Sequence, residues 1–324
     1  MLLRREVADC SVVIPAHNAA GFLEAALESV FAQSLPPAEV IVVDDGSTDG
    51  TCELVARDDR VQLISLPVKS GPSRARNRGI HAATQSYVAF LDADDLWHPG
   101  HLERAIELLA CSSAGLSFAP VETFGNVSTV VVPPCPADTP LALTAALLDD
   151  NFIIQSSVVA RRDLLCASSG YDESLGLAED YDLWLRLSCH CTFIRCADVT
   201  VKRRLHRGQA SDVRRLEMVN AAWRIRHHWL HSTEGRGALP QAAARTVLER
   251  AADRELEWAV WSGDAQQLAR VREVLVQHLQ SIGVPLPLAL RPNVLGGVIR
   301  SFEDFRCATR QLKGRVGVAR SIVR

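Results

Sequence analysis

Nowhere does this 324-residue chain carry an apolar run of the ~20 residues that a membrane-spanning helix needs. An excess of one charge sign is also missing. There are 35 Lys and Arg against 38 Asp and Glu, a net charge of -3, so no nucleic-acid footprint is present. The opening MLLRREVADC is too short and too soon polar for a secretory leader. The nine cysteines are odd in number and scattered, which argues against a disulfide framework and for reduced thiols in a cytosolic chain. Cys189-His190-Cys191 is spaced more tightly than the two to four residues usual in structural zinc sites, so its thiols are expected to pack around a strand. No internal repeat and no low-complexity segment occurs. What remains is a globular composition, 48% hydrophobic and 23% charged, sufficient for one large domain and a smaller one.

The first 110 residues alternate between two periodicities. Ser11 to Ile14, Val40 to Val43, Val61 to Leu66 and Tyr87 to Leu91 are short β-branched or apolar runs. Between them, helical patterns cover Phe22 to Phe31, about Asp49 to Arg57, and Ser73 to Thr84 with Ser73 as N-cap. This rhythm implies right-handed βαβ crossovers and a mostly parallel sheet flanked by helices. Further on, a helix is expected near Leu141 to Leu148, and strands over Val130 to Val132 and Ser156 to Ala160. Helical patterns dominate after a boundary placed near residue 211. Residues 213 to 281 read as a small bundle cored by Trp223, Ile225, Trp229, Leu256, Val260, Leu268, Val271 and Leu275.

In parallel sheets, ligands bind beyond the carboxyl ends of the strands. Pro15-Ala16-His17-Asn18, Asp44-Asp45 and Asp92-Ala93-Asp94-Asp95 all fall at such ends and should converge on one rim. Three carboxylates at the mouth of the apolar strand Tyr87 to Leu91 repel one another. A hard divalent cation would offset them, and one or two carboxylates leave it room for substrate phosphates. Solvated aspartates, with Asp94 or Asp95 capping the next turn, would serve as well. Gly71-Pro72-Ser73-Arg74-Ala75-Arg76-Asn77-Arg78-Gly79 opens the preceding helix and favours anions, although an ordinary cationic helix surface looks the same. Glu179, Asp180 and Asp182 begin another helix, where acidic residues also complement the dipole, with Leu183, Leu187 and Trp184 turned inward.

Six pieces together resemble a family 2 glycosyltransferase of the GT-A fold. They are Val12 to Asn18, Val42 to Thr51, Gly71 to Gly79, Phe90 to Asp95, Glu179 to Trp184, and Arg204 to Arg207. The resemblance ends at about residue 212. It implies a donor domain over residues 1–211 and leaves 212–324 as a helical C-terminal region. It further implies an inverting transfer of sugar from a nucleotide-diphosphate donor, a UDP-sugar, to a hydroxyl acceptor in polysaccharide or glycoconjugate synthesis. By the resemblance, Pro15, His17, Asn18, Asp45, Gly71, Arg76, Asp92 and Ala93 form the donor site, with Asp45 on the base. Asp94 would bind Mn²⁺ or Mg²⁺ with His206. Asp180 would be the general base, and Glu179 and Trp184 would shape the acceptor site. Many members carry an aromatic residue where this chain has His17, which leaves the base open. No Gln-x-x-Arg-Trp stretch of the processive polymerases is found, which favours single-sugar transfer.

Two other classes compete. A sugar-1-phosphate nucleotidyltransferase would carry a Gly-rich basic loop after the first strand, where this chain has Pro15-Ala16-His17-Asn18. A silent binding module would have no need of Asp94 and Asp180. The acceptor class stays open among glycans, lipid-linked sugars and small molecules. The tail from Val298 sets Ile299, Phe302, Phe305 and Leu312 near one helical face among seven basic residues. Such a helix can rest on an anionic membrane surface, making the chain peripheral at the inner face of the cell membrane, or dock on protein.

Overall fold

The structure is a computed structural model that describes residues 7–125, 128–135, 139–206, 214–262, 265–284, 286 and 290. It divides into two compact units, one ending at Pro240 and one starting at Gln241. The boundary expected near residue 211 and the basic tail from Val298 both lie outside the described residues.

The first unit is built on β1 (Ala8–Ala16), α1 (Leu23–Phe31), β2 (Pro37–Asp45), α2 (Thr51–Val55), β3 (Gln62–Leu66), α3 (Pro72–Ala82) and β4 (Tyr87–Phe90). After these come β5 (Leu96–Trp97), α4 (His101–Ala110), β6 (Leu116–Phe118), β7 (Val121–Gly125), β8 (Thr129–Val131) and α5 (Pro140–Asp149). Then follow β9 (Val159–Arg161), α6 (Arg162–Ala167), α7 (Glu179–Ser188), β10 (Phe193–Arg195) and β11 (Val201–Leu205). The helices Arg215–His231 and Thr233–Ala238 complete the unit.

Seven strands form the main sheet in the order β10-β6-β9-β4-β1-β2-β3. The pairs β1 with β2 and β4, β2 with β3, and β6 with β10 are parallel, as the βαβ rhythm predicts. β9 is the exception, running antiparallel to both β4 and β6. The run expected as a strand from Ser156 opens instead as a 3₁₀ turn over Gln155–Ser157 before β9. A second sheet runs β5-β11-β7-β8; β8 matches the strand expected over Val130 to Val132, while β5, β7 and β11, two to five residues long, were not legible in the sequence.

Alternate residues of β1 face opposite layers. Cys10, Val12, Ile14 and Ala16 join a core with Leu23, Ala26, Leu27 and Val30 of α1 and Leu102, Ala105 and Leu109 of α4. On the other face α3 packs so closely that a Cβ at Gly79 would meet Val13 Cγ1 at 2.2 Å. Pro15 sits in a central strand without breaking it. The β4 ladder ends at Val13 with Phe90, so no partner on that side needs the missing N–H.

Two local expectations are corrected. Ser73 is not the N-cap of α3. Gly71 holds that position at φ 97°, Pro72 takes the first turn, and the Ser73 hydroxyl donates to Leu175 O. Proline's fixed φ suits the first helical position and moves the cap back. Cys189 and Cys191 do not flank a strand either. Cys189 caps α7, and both thiols donate to carbonyls of α7's last turn, Leu185 and Leu187.

In the unit from Gln241, helices Gln241–Ser262 and Ala265–Ser281 pack together. Leu256, Leu268, Val271 and Leu275 are buried there as expected, while the Val260 side chain lies outside the described residues. Trp223, Ile225 and Trp229 are buried in the first unit.

Candidate active site

The register of β1, β2 and β4 brings the predicted segments to one rim, as the strand-end rule requires. His17 and Asn18 follow β1, Asp44 and Asp45 end β2, and Asp92, Ala93 and Asp94 follow β4. The β1 and β2 turns are laced together. Nδ1 of His17 lies 2.9 Å from Asp45 O, which only accepts, so that nitrogen carries a proton. Asn18 adopts φ 50°, its amide donates to Ser47 Oγ, and its Oδ1 accepts from Thr48 N. Gly46 makes the turn at φ 67°, and a Cβ there would strike Lys69 N at 2.6 Å.

Asp45 is only 4% exposed. Its two oxygens accept from Ser70 N at 2.6 Å and Gly71 N at 2.8 Å. Those bonds fix the turn that starts α3, and a nucleobase would have to use the remaining lone pairs. Pro15 and Gly71 are half-buried at the same rim, and Ala93 is 8% exposed beside Asp92.

The aspartates after β4 each have a protein partner, which is how the chain tolerates three carboxylates in a row. Asp92 accepts from Arg76 at 2.8 Å, and its backbone N–H donates to Ser156 Oγ. Asp94 Oδ2 lies 3.0 Å from His206 Nε2. Asp95 turns inward, accepting from Ser156 Oγ at 2.6 Å and from Arg204 N at 2.9 Å. Burial first, then the charges of Asp92 and Asp94, push its carboxyl up to about 8. It thus anchors the loop that carries its neighbours. Ser156 ties this loop again through its carbonyl, which accepts from Trp97 Nε1.

The donor chemistry of Asp94 and His206 fits a divalent cation. Two adjacent ligands of an octahedral ion at about 2.1 Å lie roughly 3.0 Å apart, which matches the carboxylate–imidazole separation. Among the described residues no group of three His, Cys, Asp or Glu gathers around a metal. A pair of protein ligands leaves positions for phosphate oxygens. Phe22 stacks on the His206 ring with centroids 5.2 Å apart. Arg204 lies over Phe22 and Phe124 and donates Nε to Asp94 O, so β11 delivers His206 to the rim.

Asp180 sits in the first turn of α7, behind Ala178, whose φ of 57° is strained for a residue with a Cβ. Its Oδ1 accepts from Tyr181 N at 2.7 Å and Asn151 Nδ2 at 3.3 Å. Oδ2 is left for another proton. Burial, and then the Glu179 charge, push the Asp180 carboxyl up to about 7, while Arg76 opposes them. A carboxylate poised there is suited to take a proton at neutral pH.

Three predicted residues sit differently from expectation. Arg76, expected on the diphosphate, is 5% exposed and holds both Asp92 and Glu179. Glu179, expected at the acceptor, accepts that guanidinium at 2.6 Å. Trp184 has no exposed surface and packs edge-on to Tyr171, because a residue five positions into an amphipathic helix faces the core. It supports the site from behind and offers no face to an acceptor. Asn151, Ser156, Tyr171 and Phe22 belong to the site without any sequence signal, since each is brought in by a tertiary contact. A groove of about 840 Å³ lined by α1 and α2 residues such as Glu24, Glu28 and Glu53 contains none of the candidate residues.

Residues 11–130 match the family model described as glycosyl transferase family 2. The succinoglycan biosynthesis protein ExoO of Rhizobium meliloti is 34% identical over 191 residues, 55% of either chain. The Escherichia coli enzyme named UDP-Glc:alpha-D-GlcNAc-diphosphoundecaprenol beta-1,3-glucosyltransferase WfgD is 29% identical over 62% of this chain and 79% of its own. The chain spans 44% of the Bacillus subtilis protein TuaG, a putative teichuronic acid biosynthesis glycosyltransferase that is 40% identical over 112 residues. It therefore covers about half the length of TuaG and ExoO. Among solved structures, S. aureus TarS 1-349 in complex with UDP-GlcNAc superposes with TM-score 0.67 at 18% identity, over 94% of this chain and 91% of that one. A Pyrobaculum calidifontis mannosyltransferase in complex with GDP-Man and Mn²⁺ does so with TM-score 0.56 at 22% identity, over 84% and 87%. These neighbours share the GT-A fold with the present chain.

Proposed function

We propose that this chain, whose residues 11–130 match glycosyl transferase family 2, is a member of that family that moves a sugar from a UDP-sugar to an acceptor hydroxyl with inversion, in polysaccharide or glycoconjugate synthesis. The observation that carries this reading is the pairing of two features in one unit. The Asp94–His206 pair lies at the donor rim, and a carboxylate adjusted to titrate near neutrality lies on α7.

Asp94 and His206 would hold Mn²⁺ or Mg²⁺, which when bound neutralises charge on the departing diphosphate. The His17–Asn18 and Asp45–Gly71 turns bind and orient the nucleotide. Asp180 accepts the proton of the attacking hydroxyl at its Oδ2, with Oδ1 held by Tyr181 N and Asn151. Because Asp180 and Asp94 come from separate elements, base and leaving group can occupy opposite faces of the sugar, which inversion requires. A UDP-sugar is favoured by two similar proteins, TarS in complex with UDP-GlcNAc and the transferase named for UDP-Glc. The latter's name also includes a lipid-linked acceptor, which makes a diphospholipid sugar the first acceptor to try.

Calorimetry of UDP, GDP, dTDP and CDP, each with and without Mn²⁺, tests the donor site. Metal-dependent binding of UDP alone is the expected result. A different preferred nucleotide would replace the donor assignment, and no binding under any condition would overturn the transferase reading.

A further inference from the structure

Arg76 is a buried cation that the donor-site reading leaves without a task. Its two terminal nitrogens reach Glu179 at 2.6 Å and Asp92 at 2.8 Å. Its guanidinium lies 5.5 Å from the centre of the Tyr171 ring. Asn77, one residue on, holds the Tyr171 backbone from both sides, accepting from Tyr171 N and donating to Tyr171 O. The start of α3 is therefore fastened to the segment that leads into α7. We infer that Arg76 is a positioning residue for Asp180, a buried counter-charge joining the donor rim to the base-bearing turn of α7. This rests on the reading of Asp180 as the general base.

Among the described residues, these groups act on Asp180. Glu179 comes from its own helix and Arg76 from α3. The Tyr171 phenol comes from the segment before α7, and the Asn151 amide from the segment after α5. Of these described groups, Arg76 is the cation. Glu179 and Asp180 are adjacent carboxylates in a poorly solvated place, and the Glu179 charge disfavours a charge on Asp180 unless a counter-charge is near. Arg76 supplies it, and its second nitrogen on Asp92 fixes where the charge sits. A guanidinium suits this task because one planar fork can serve two carboxylates at once. Removing it would leave Glu179 to repel the Asp180 charge unopposed.

The test follows the Asp180 carboxyl carbon by NMR in chain labelled with ¹³C-carboxyl aspartate. The signal is assigned by its loss in Asp180→Asn, and the midpoint is compared among wild type, Arg76→Gln, Arg76→Lys and Glu179→Gln. Arg76→Gln is expected to raise the Asp180 midpoint by about one unit or more. Glu179→Gln should lower it, and Arg76→Lys should keep it near the wild-type value. The acid limb of the transfer rate should move with the midpoint. Unfolding would return the group to an ordinary carboxylate value, a downward shift, so an upward shift in Arg76→Gln is not a folding artefact. If Arg76→Gln does not fold, Glu179→Gln still decides, because it removes the charge that Arg76 is held to offset and should lower the Asp180 midpoint. An unmoved midpoint in folded Arg76→Gln or in Glu179→Gln, or a rate loss equal at every pH, would overturn the inference. The titration needs no turnover, so absence of transfer would count against the proposed activity and not against this coupling.

Discussion

Asp180 should give transfer a steep dependence on pH in a range where an ordinary aspartate gives none. With its carboxyl pushed up to about 7 by burial and by Glu179, about nine-tenths is ionised at pH 8 and about one-tenth at pH 6. The acceptor-dependent rate should therefore fall roughly tenfold across those two units if the ionised form is the base. The assay is initial transfer at low acceptor concentration, with donor and Mn²⁺ held saturating at every pH. The same shift makes a stability statement of definite sign. A carboxyl whose folded value lies above its unfolded one favours the fold fully below about pH 4, and that contribution is lost as the pH rises to about 7. At pH 8 the ionised, half-buried group is a cost on the order of 1–3 kcal/mol once its partial exposure is discounted. Asp180→Asn should thus abolish transfer while raising the unfolding free energy. The gain should grow from about pH 4 to pH 7 and then level off. A rate constant between pH 6 and pH 8, or an Asn variant that keeps full activity, would refute the assignment of Asp180 as base.

Three further outcomes are expected. Asp94→Ala should remove the Mn²⁺ dependence of nucleotide binding, because it deletes the carboxylate set 3.0 Å from His206. Unchanged metal-dependent affinity in calorimetry would end the metal role. Gly79→Ala should destabilise by about 1–3 kcal/mol in urea unfolding, since its Cβ would overlap Val13 Cγ1. A neutral result would mean that α3 slides from the sheet at little cost. Asp95→Ala should lower activity without touching donor or acceptor, by freeing the loop from Ser156 and Arg204. An unaltered rate would show that the loop is held by other contacts.

How much of the site was legible follows from the range of the interactions involved. Helical and strand periodicity are local, and they placed β1 to β4 and α1 to α3 within a few residues of where they lie. The strand-end rule then put His17, Asp45, Asp92 and Asp94 on one rim without any knowledge of side-chain positions. The helix opening at Glu179 was likewise readable from its acidic first turn.

Side-chain use was not readable in this way. Arg76 stands in a basic run that favours anions, and only packing shows that its fork is turned inward onto Asp92 and Glu179. Trp184 and Asp180 are four residues apart on one helix, yet one is wholly buried and the other keeps an oxygen for solvent. Asn151, Ser156 and Tyr171 carry no pattern at all, because a single polar residue in a loop acquires meaning from what lies across from it. The antiparallel direction of β9 and the pairing of the small second sheet escaped for the same reason: strands of two to five residues are stabilised by their neighbours more than by their own composition. The sequence by itself determined the layered α/β frame and the rim at which chemistry is placed, since both depend on short-range periodicity. Tertiary structure alone decided which carboxylates are paired, which is buried, and which has its carboxyl pushed up toward neutrality, since burial and charge pairing arise between residues far apart in the chain.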